Sequence, residues 1–430
     1  MAIQQSLDFF PNEIKVEQNY TATFADNMKM PIHKWYRYTA GFSASWVSEL
    51  IQEEKKNGRS HIIDPFAGSG TVLIESEFAG VESYGVESHP YIYRIAKAKL
   101  NWSYPADKFK DEALLLLGFA KQMKITKTEF PKLIMSCYPL EILQKLEALK
   151  QAWLNQNQDE EIKNFNWFVI TAILRKTSPV GTAQWQYIQP NKTKTKVVDP
   201  FTAFEEKINE MYFDMKKSQS RFKNIVPSII LNEDARNIES IPDGWGDLVI
   251  TSPPYANNYD YADATRLEMT FWGDITGWAD LQDNVRKHLI RACTQHVSKL
   301  GDTVESILAH PKLAAIHSEL SKVYETLKVE RLNHGGKKNY HLMIVAYFND
   351  LADVFISLRR VTSSNSKLCF VIGDSAPYGI YVPVDKWLGE LALSAGFKSY
   401  SFEKLRDRNV KWKNRKHTVP LHEGRLWINS

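Results

Sequence analysis

The amino-acid sequence predicts an α/β fold, and three observations carry the prediction. Apolar, strand-like runs alternate with helix-like runs along the chain, the pattern of helices packed on a sheet. A Gly-rich turn, Ala67-Gly68-Ser69-Gly70, leads from the first such strand into a helical run. Two late runs, GFKSYSFEKL and GRLWIN, pattern as an antiparallel pair, which belongs at the edge of an otherwise parallel sheet.

The elements follow in chain order. HIIDPF, residues 61–66, is the first strand, and TVLIESEFA after the Gly-rich turn is a helix stopped by Gly80. SYGVE, 83–87, is the second strand, so a compact β-loop-α-β unit with a right-handed crossover is expected. The next comparable strand, SIILNED at 228–234, comes far later than an ordinary connection needs. The intervening stretch therefore reads as an insertion, helical where Leu140, Leu143, Leu146, Leu149 and Trp153 recur at three- and four-residue steps. DLVITSPPY, 247–255, is an apolar strand ending in a Pro-Pro turn, and KLCFVIGD, 367–374, is another buried strand. Between them, 275–345 shows no clear period and reads as a second, helix-rich insertion.

Composition sets outer bounds. A chain of 430 residues implies one large domain with insertions, or two domains. With 43% hydrophobic and 24% charged residues it has a globular composition. The net charge of +4 does not by itself point to nucleic acid, so local clustering matters more. Cys137, Cys293 and Cys369 form no CxxC pair, and no zinc-ligand set is read around them. Neither a disulfide framework nor a metal site is expected, which fits a reducing cytoplasm. The N-terminus lacks a secretory pattern, and no stretch approaches 18 apolar residues.

The turn Asp64-Pro-Phe-Ala-Gly-Ser-Gly70 carries the first chemical signal. Its glycines let a backbone approach a ligand, and the helix behind it offers free N–H groups. Glu87, 19 positions after Gly68, ends the next strand, where a doubly wound sheet sets a carboxylate beside a nucleoside ribose. No Lys-Ser/Thr follows the glycines, which excludes a P-loop, and Leu73 stands where the dinucleotide fingerprint has its third glycine. Asp64 at the start of the turn would repel a pyrophosphate. It suits a cationic ligand instead, such as the amino-acid portion of S-adenosylmethionine.

The second signal is Thr251-Ser-Pro-Pro-Tyr255, at the C-terminal end of an apolar strand, where open α/β sheets place their chemistry. Two consecutive prolines fix φ, donate no N–H and so present bare carbonyls. An exocyclic amine has its lone pair delocalised into the base. Ser252 and the Pro253 carbonyl can accept its two hydrogens and turn the lone pair toward a methyl donor, while Tyr255 stacks on an extruded base.

Together DPFAGSG and TSPPY resemble the amino-methylating DNA methyltransferases, and the Ser form of the tetrad is similar to the N4-cytosine group. The resemblance implies a class I S-adenosylmethionine-dependent methyltransferase fold, a mostly parallel seven-stranded sheet with helical insertions. It implies a catalytic core over 1–104, 225–274 and 345–430, with 105–224 a candidate DNA-recognition insertion and 275–344 a second insertion. S-adenosylmethionine is the cofactor it implies. The implied cofactor residues are Tyr38 and Phe42 in HKWYRYTAGFSASWVSEL, Asp64, Phe66, Ala67, Gly68, Gly70 and Thr71 in the loop, and Glu87 and Ser88 in YGVESHP. Asp234 and Ala235 in NEDARN complete that set, with Asp234 as the adenine-side acid, and Ser252, Pro253, Pro254 and Tyr255 are the implied catalytic residues. Double-stranded DNA is the implied partner, in a restriction-modification setting with a cognate endonuclease. The cofactor loop precedes the tetrad, the reverse of the order in many N4-cytosine enzymes.

Other readings stay open. Adenine N6 and RNA amines would be served by the same tetrad chemistry. A nucleic-acid-binding module without activity predicts that Ser252→Ala changes nothing, and a dinucleotide oxidoreductase predicts no affinity for S-adenosylmethionine. A ring-carbon methyltransferase needs an activated thiolate, for which the contexts SCY, ACT and LCF give no support. Two basic stretches suit phosphate contacts: 175–196, five basic and no acidic residues around Trp185 and Tyr187, and 404–416, seven basic and one acidic. His33, His89 and His422 read as polar surface or capping residues.

Overall fold

The computed structural model describes residues 24–430 apart from 39–40, 183–186, 195, 258–259, 298–299, 301–302, 337 and 409–418. Helix α1 (Ala44–Lys56) leads into strand β1 (His61–Asp64), followed by α2 (Thr71–Ala79), β2 (Glu82–Val86) and α3 (Pro90–Leu100). Helices α4 (Ala106–Gln122), α5 (Lys132–Cys137), α6 (Leu140–Asn155) and α7 (Glu160–Thr177) come next. An antiparallel pair, β3 (Val180–Thr182) and β4 (Ile188–Thr193), then precedes α8 (Pro200–Arg221). After β5 (Ile229–Leu231) and β6 (Gly246–Thr251) come the short helices α9 (Tyr261–Ala264), α10 (Arg266–Trp272), α11 (Asp280–Asn284) and α12 (Val304–Leu308). Two longer helices, α13 (His317–Glu330) and α14 (Tyr340–Val361), lead to β7 (Thr362–Gly373), α15 (Val384–Ser394), β8 (Ser399–Arg408) and β9 (Leu421–Asn429).

Seven strands form one sheet in the order β5-β2-β1-β6-β7-β9-β8. The pairs from β5 through β7 are parallel, and β9 runs antiparallel to both its neighbours. The protein is thus a mixed α/β structure on a mostly parallel sheet, with the closing antiparallel pair at its edge. Strand β8 on that edge alternates between half-buried and exposed residues over its first four positions, as a one-sided strand should.

The period of two assigns the sheet's faces. Ile62, Leu248, Ile250, Cys369 and Val371 share a core with Trp46, Val47, Leu50 and Ile51 of α1. Their neighbours Ile63, Val249, Leu368, Phe370 and Ile372 share the other core with α14 and α15. Helix α2 is buried on nearly all sides: Val72 joins the α1 core, while Leu73 and Ile74 join a third core built from α3 to α8.

Helix α14 departs from the expectation of no long apolar segment. It is long and apolar enough to cross a membrane by length and composition, yet 89% of its most apolar window is buried inside the protein. His341 and Asp350 interrupt its apolar run, and Asp350 is held by Arg291 through Nε at 3.0 Å.

Two strands are shorter than the sequence predicts. The first ends at Asp64 because its carboxylate accepts the N–H of Phe66 at 3.1 Å and turns the chain. The run 228–234 keeps only three strand residues, because Asp234 accepts the N–H of Arg236 at 2.9 Å and bends back onto Asn237.

Candidate functional site

The strand order reverses between β1 and β6: the chain proceeds from β1 outward to β2 and β5 on one side, and from β6 to β7 on the other. A crevice opens beyond the carboxyl ends of such strands. Both sequence motifs sit there, because β1 ends at Asp64 and β6 ends at Thr251.

The Gly-rich loop is pinned from three directions. Glu87, just past β2, accepts the N–H of Gly68 at 2.9 Å and of His89 at 2.8 Å. Lys99 on α3 donates to the carbonyl of Ser69 at 2.8 Å, and burial holds its ammonium down to about 7. Gly68 has φ +52, and a Cβ there would lie 3.0 Å from Cε1 of Tyr38. Only glycine admits both the left-handed backbone and the Tyr38 ring against it.

Thr251 ties the second motif to the first. Its hydroxyl donates to the Asp64 carboxylate at 2.7 Å across the β1–β6 boundary. Asp64 is 2% exposed, and burial pushes its carboxyl up to about 7 against the hydrogen bonds from Thr251 and Phe66. Glu87 is also pushed up to about 7 by burial, opposed by its two backbone N–H partners. It keeps some surface in the cleft, so solvent reaches it more readily than Asp64. A site that raises two carboxyls together is prepared for a cation or a hydroxyl-bearing ligand to compensate them.

Ser252 donates its hydroxyl to the carbonyl of Val371 on β7 at 3.1 Å. With its proton so placed, the oxygen lone pairs remain to accept from another group. Tyr255 packs against Gly373, where a Cβ would lie 3.1 Å from the ring, and burial raises its phenol.

A cleft of about 750 Å³, including its open mouth, gathers these parts. Tyr38, Phe42, Asp64, Phe66, Ala67, Gly68, Thr71, Glu87, Ser88, Ser252 and Pro254 all line it. Gly70, Pro253, Tyr255, Asp234 and Ala235 do not. Gly70 begins α2 with φ +83, and Pro253 is buried beneath the turn. The Asp234 carboxylate is engaged by Nε of Arg236 at 2.9 Å.

The sequence reading missed Tyr261, Leu289 and Ile290, and it did not count Gly41, Ser69 or His89, which line the cleft as well. Leu289 and Ile290 come from the region without a legible period and Tyr261 from the core stretch just before it, and no local pattern marks them. Nearby, Asp260 is buried between Arg286, whose Nε lies at 3.0 Å, and His296. Burial works against the charge of His296, but the Asp260 carboxylate and the Cys293 thiol, three residues before it and gathered with both within 4.8 Å, outweigh it and hold the imidazole up at about 10.

Of the histidines expected as surface or capping residues, His89 stands at the N-cap of α3, without a capping side-chain bond, and all three have side-chain partners. His33 is buried and pairs with Glu75 at 2.8 Å, while buried His89 meets Thr265 Oγ1 at 3.0 Å. His422 lies between Asp374 at 2.7 Å and Asp385 at 3.5 Å. Partners remote in sequence made these contacts invisible to spacing arguments. The same cause reduces the basic stretch 175–196: Arg175 is paired with Glu268 and Lys176 with Glu206. Lys194 donates to the carbonyl of Arg175, and Tyr187 accepts the N–H of Asp260 at 2.6 Å. Trp185 and most of 404–416 lie outside the described residues.

No family model matches the chain. Individual proteins do. The chain is 27% identical over 404 residues to the Type II methyltransferase M.AvaI of Nostoc sp. and of Anabaena variabilis, covering 87% of this chain and 81% of the relative. This chain is a relative of Type II methyltransferases. It is also 25% identical over 426 residues to M.BsoBI of Geobacillus stearothermophilus, covering 90% of this chain and 82% of that one. M.MvaI of Kocuria varians is 23% identical over 424 residues, covering 94% and 88%. Coverage this complete extends the likeness well beyond the two motifs, across the helices between β2 and β5 and the poorly periodic region after β6.

Proposed function

We propose that the chain is a class I S-adenosylmethionine-dependent DNA methyltransferase that methylates an exocyclic amine of an extruded base, N4 of cytosine by its Ser-Pro-Pro-Tyr tetrad. The observation that carries this reading is the single cleft shared by Asp64, Glu87 and Ser252, closed by the hydrogen bond from Thr251 to Asp64. The strand order, with one antiparallel strand inserted next to the edge, is the arrangement that such a fold requires. The Type II methyltransferase relatives support the DNA-methyltransferase part of this reading.

The cleft residues suit the cofactor. Glu87 is fixed by two N–H groups and retains lone pairs for ribose hydroxyls, and Asp64 offers a carboxylate to an ammonium. Tyr38 and Phe42 supply apolar walls, and the Gly68 backbone permits close approach. Asp234, outside the cleft as it stands and held by Arg236, is the adenine-side acid that the resemblance implies, with Ala235 beside it. When bound, the cofactor supplies an electrophilic methyl group on its sulfonium.

The chain's own residues prepare the nucleophile. Ser252 Oγ, its proton directed to Val371, accepts one amine hydrogen and the Pro253 carbonyl accepts the other. Tyr255 stacks on the base. Held so, the amine nitrogen would take up the methyl group and its surplus proton would pass to water, so no side chain is required as general base.

The core comprises 1–104, 225–274 and 345–430; 105–224 contacts DNA, and 275–344 contributes Leu289 and Ile290 to the cofactor wall. Double-stranded DNA is the substrate, and a cognate restriction endonuclease is the companion activity. The test is transfer from labelled S-adenosylmethionine to mixed-sequence DNA, followed by nucleoside digestion and mass analysis. N4-methylcytosine is expected. N6-methyladenine would overturn the base assignment, and absence of cofactor binding would overturn the function.

A further inference from the structure

Arg408 ends β8 and brings a guanidinium to the tetrad from a strand remote in sequence. Its centre lies 5.1 Å from the centroid of the Tyr255 ring, and Nη1 donates to the carbonyl of Asp374 at 2.8 Å. Gly373 makes the approach possible. A Cβ there would lie 2.6 Å from Nη1 of Arg408 as well as 3.1 Å from Tyr255.

The charge of this guanidinium is not compensated by the described residues. Its neighbours on the same edge are paired: Arg406 with Glu423 at 2.8 Å and Arg425 with Glu403 at 3.2 Å. Arg408 meets Asp374 only through its main-chain carbonyl: one carboxylate oxygen of Asp374 takes His422 at 2.7 Å and Tyr381 at 3.0 Å, and the other is buried without a hydrogen-bond partner. Among the described residues no carboxylate lies within ion-pair distance of Arg408. A half-buried guanidinium with one of five N–H groups satisfied in this way still has its planar fork available, and that fork matches a phosphate bidentately. The sequence continues into Lys411, Lys413, Arg415 and Lys416, which extends the positive charge in the same direction along the chain.

We propose that Arg408 is a DNA-backbone contact: it packs on Tyr255 and clamps the phosphodiester at the nucleotide whose base Tyr255 receives. The inference rests on the function proposed above. A cation held this way couples two events. The phosphate satisfies the guanidinium, and the guanidinium fixes the ring on which the base stacks.

The test is fluorescence-anisotropy binding of the full chain to a mixed-sequence duplex over a series of KCl concentrations, with Arg408→Gln, Arg408→Lys and Arg406→Gln beside the wild type. Removing one phosphate contact lowers the magnitude of the salt slope of log K by about 1 and weakens binding equally across sequences. Arg408→Gln should therefore bind about tenfold more weakly at low salt with the smaller slope. Arg408→Lys should keep the wild-type slope, because it keeps the charge. Arg406→Gln, whose partner is Glu423, should not lower the slope. Binding of S-adenosylmethionine should be unaltered in all three. An unchanged slope in Arg408→Gln, or a slope lost equally in Arg408→Lys, overturns the inference while leaving the function standing. Loss of cofactor binding in both Arg408 variants also overturns it, by making the role structural. A wild-type protein that binds cofactor but neither binds nor methylates DNA overturns the function and the inference together.

Discussion

The two raised carboxyls move the pH dependence of cofactor affinity into the neutral range, where a cation-binding site built from ordinary surface acids is already fully ionised and flat. In the free protein Asp64 and Glu87 are each held up to about 7 by burial. An ammonium and a pair of ribose hydroxyls bind best when both are ionised, so below pH 7 binding must also remove protons. Each such group costs about tenfold in affinity per pH unit below its pKa. Between about pH 8 and pH 6, affinity should fall about tenfold if Asp64 alone must ionise, and about a hundredfold if Glu87 must as well. The stability of the free protein has a related sign. A carboxyl whose folded pKa is raised favours folding when protonated, so that contribution declines as pH rises from the ordinary carboxylate range to about 7 and is lost above it. The thermal shift given by the cofactor should therefore be larger at pH 8 than at pH 6. Isothermal titration with S-adenosylmethionine at half-unit pH steps reads the effect, and proton uptake or release follows from repeating it in buffers of different ionisation enthalpy. Asp64→Asn should lower affinity at pH 8 and flatten the profile. A wild-type affinity that is constant from pH 6 to 8, or that rises toward acid, would refute the argument that these carboxyls hold the ligand.

Other substitutions separate binding from chemistry. Ser252→Ala should lower single-turnover methyl transfer by about two orders of magnitude, by analogy with loss of one oriented polar contact, with cofactor and DNA affinity nearly unchanged; a rate near wild type excludes Ser252 as the amine's acceptor. Gly68→Ala should cost about 1–2 kcal/mol for a left-handed alanine and, by displacing Tyr38 into the cleft, weaken the cofactor about tenfold, measured by chemical denaturation and by titration. Thr251→Val removes a hydrogen bond to a buried carboxyl. It should move the midpoint of the pH profile upward and leave Asp64 undersatisfied by about 1–3 kcal/mol when ionised. A midpoint that stays in place would show that the Thr251 hydroxyl does not stabilise the carboxylate.

The local signals in the sequence were strongest where chemistry and backbone demand coincide. Gly68 and Gly80 adopt positive φ on either side of α2, and the helix between them was legible to the residue because glycine punctuates both ends. The apolar runs of β6 and β7 identified central strands, since burial on both faces removes polar residues from them. The motif residues Asp64, Glu87 and Ser252 were legible as candidates because residues at or one past the carboxyl ends of parallel strands gather at the same edge of the sheet. What resisted reading was long-range pairing. Arg175 looks like a phosphate contact in RKTSPV until Glu268, 93 residues on, absorbs it. His422 looks solitary until the antiparallel return of β9 brings it to Asp374.

The same logic explains why the region after β6 hid its role. Leu289 and Ile290 line the cleft without belonging to any periodic element, and the turn that carries them is held by Arg286 and His296 converging on Asp260. Their placement is fixed by a buried charge cluster rather than by an amphipathic face, and a buried cluster leaves no periodic trace in sequence. Asp260 stands five residues after Tyr255 and directly before Tyr261, which also lines the cleft. Burial resists the charge on Asp260, yet hydrogen bonds from His296 and Arg286 hold its carboxyl down at about 2. The cluster therefore keeps its charges throughout the pH range in which Asp64 and Glu87 titrate. That separation lets the cofactor wall stay in place while the carboxyls in the cleft gain and lose protons, so a pH profile of binding reports on the groups that titrate near 7, Asp64, Glu87 and the loop-pinning Lys99, and not on collapse of the wall around them.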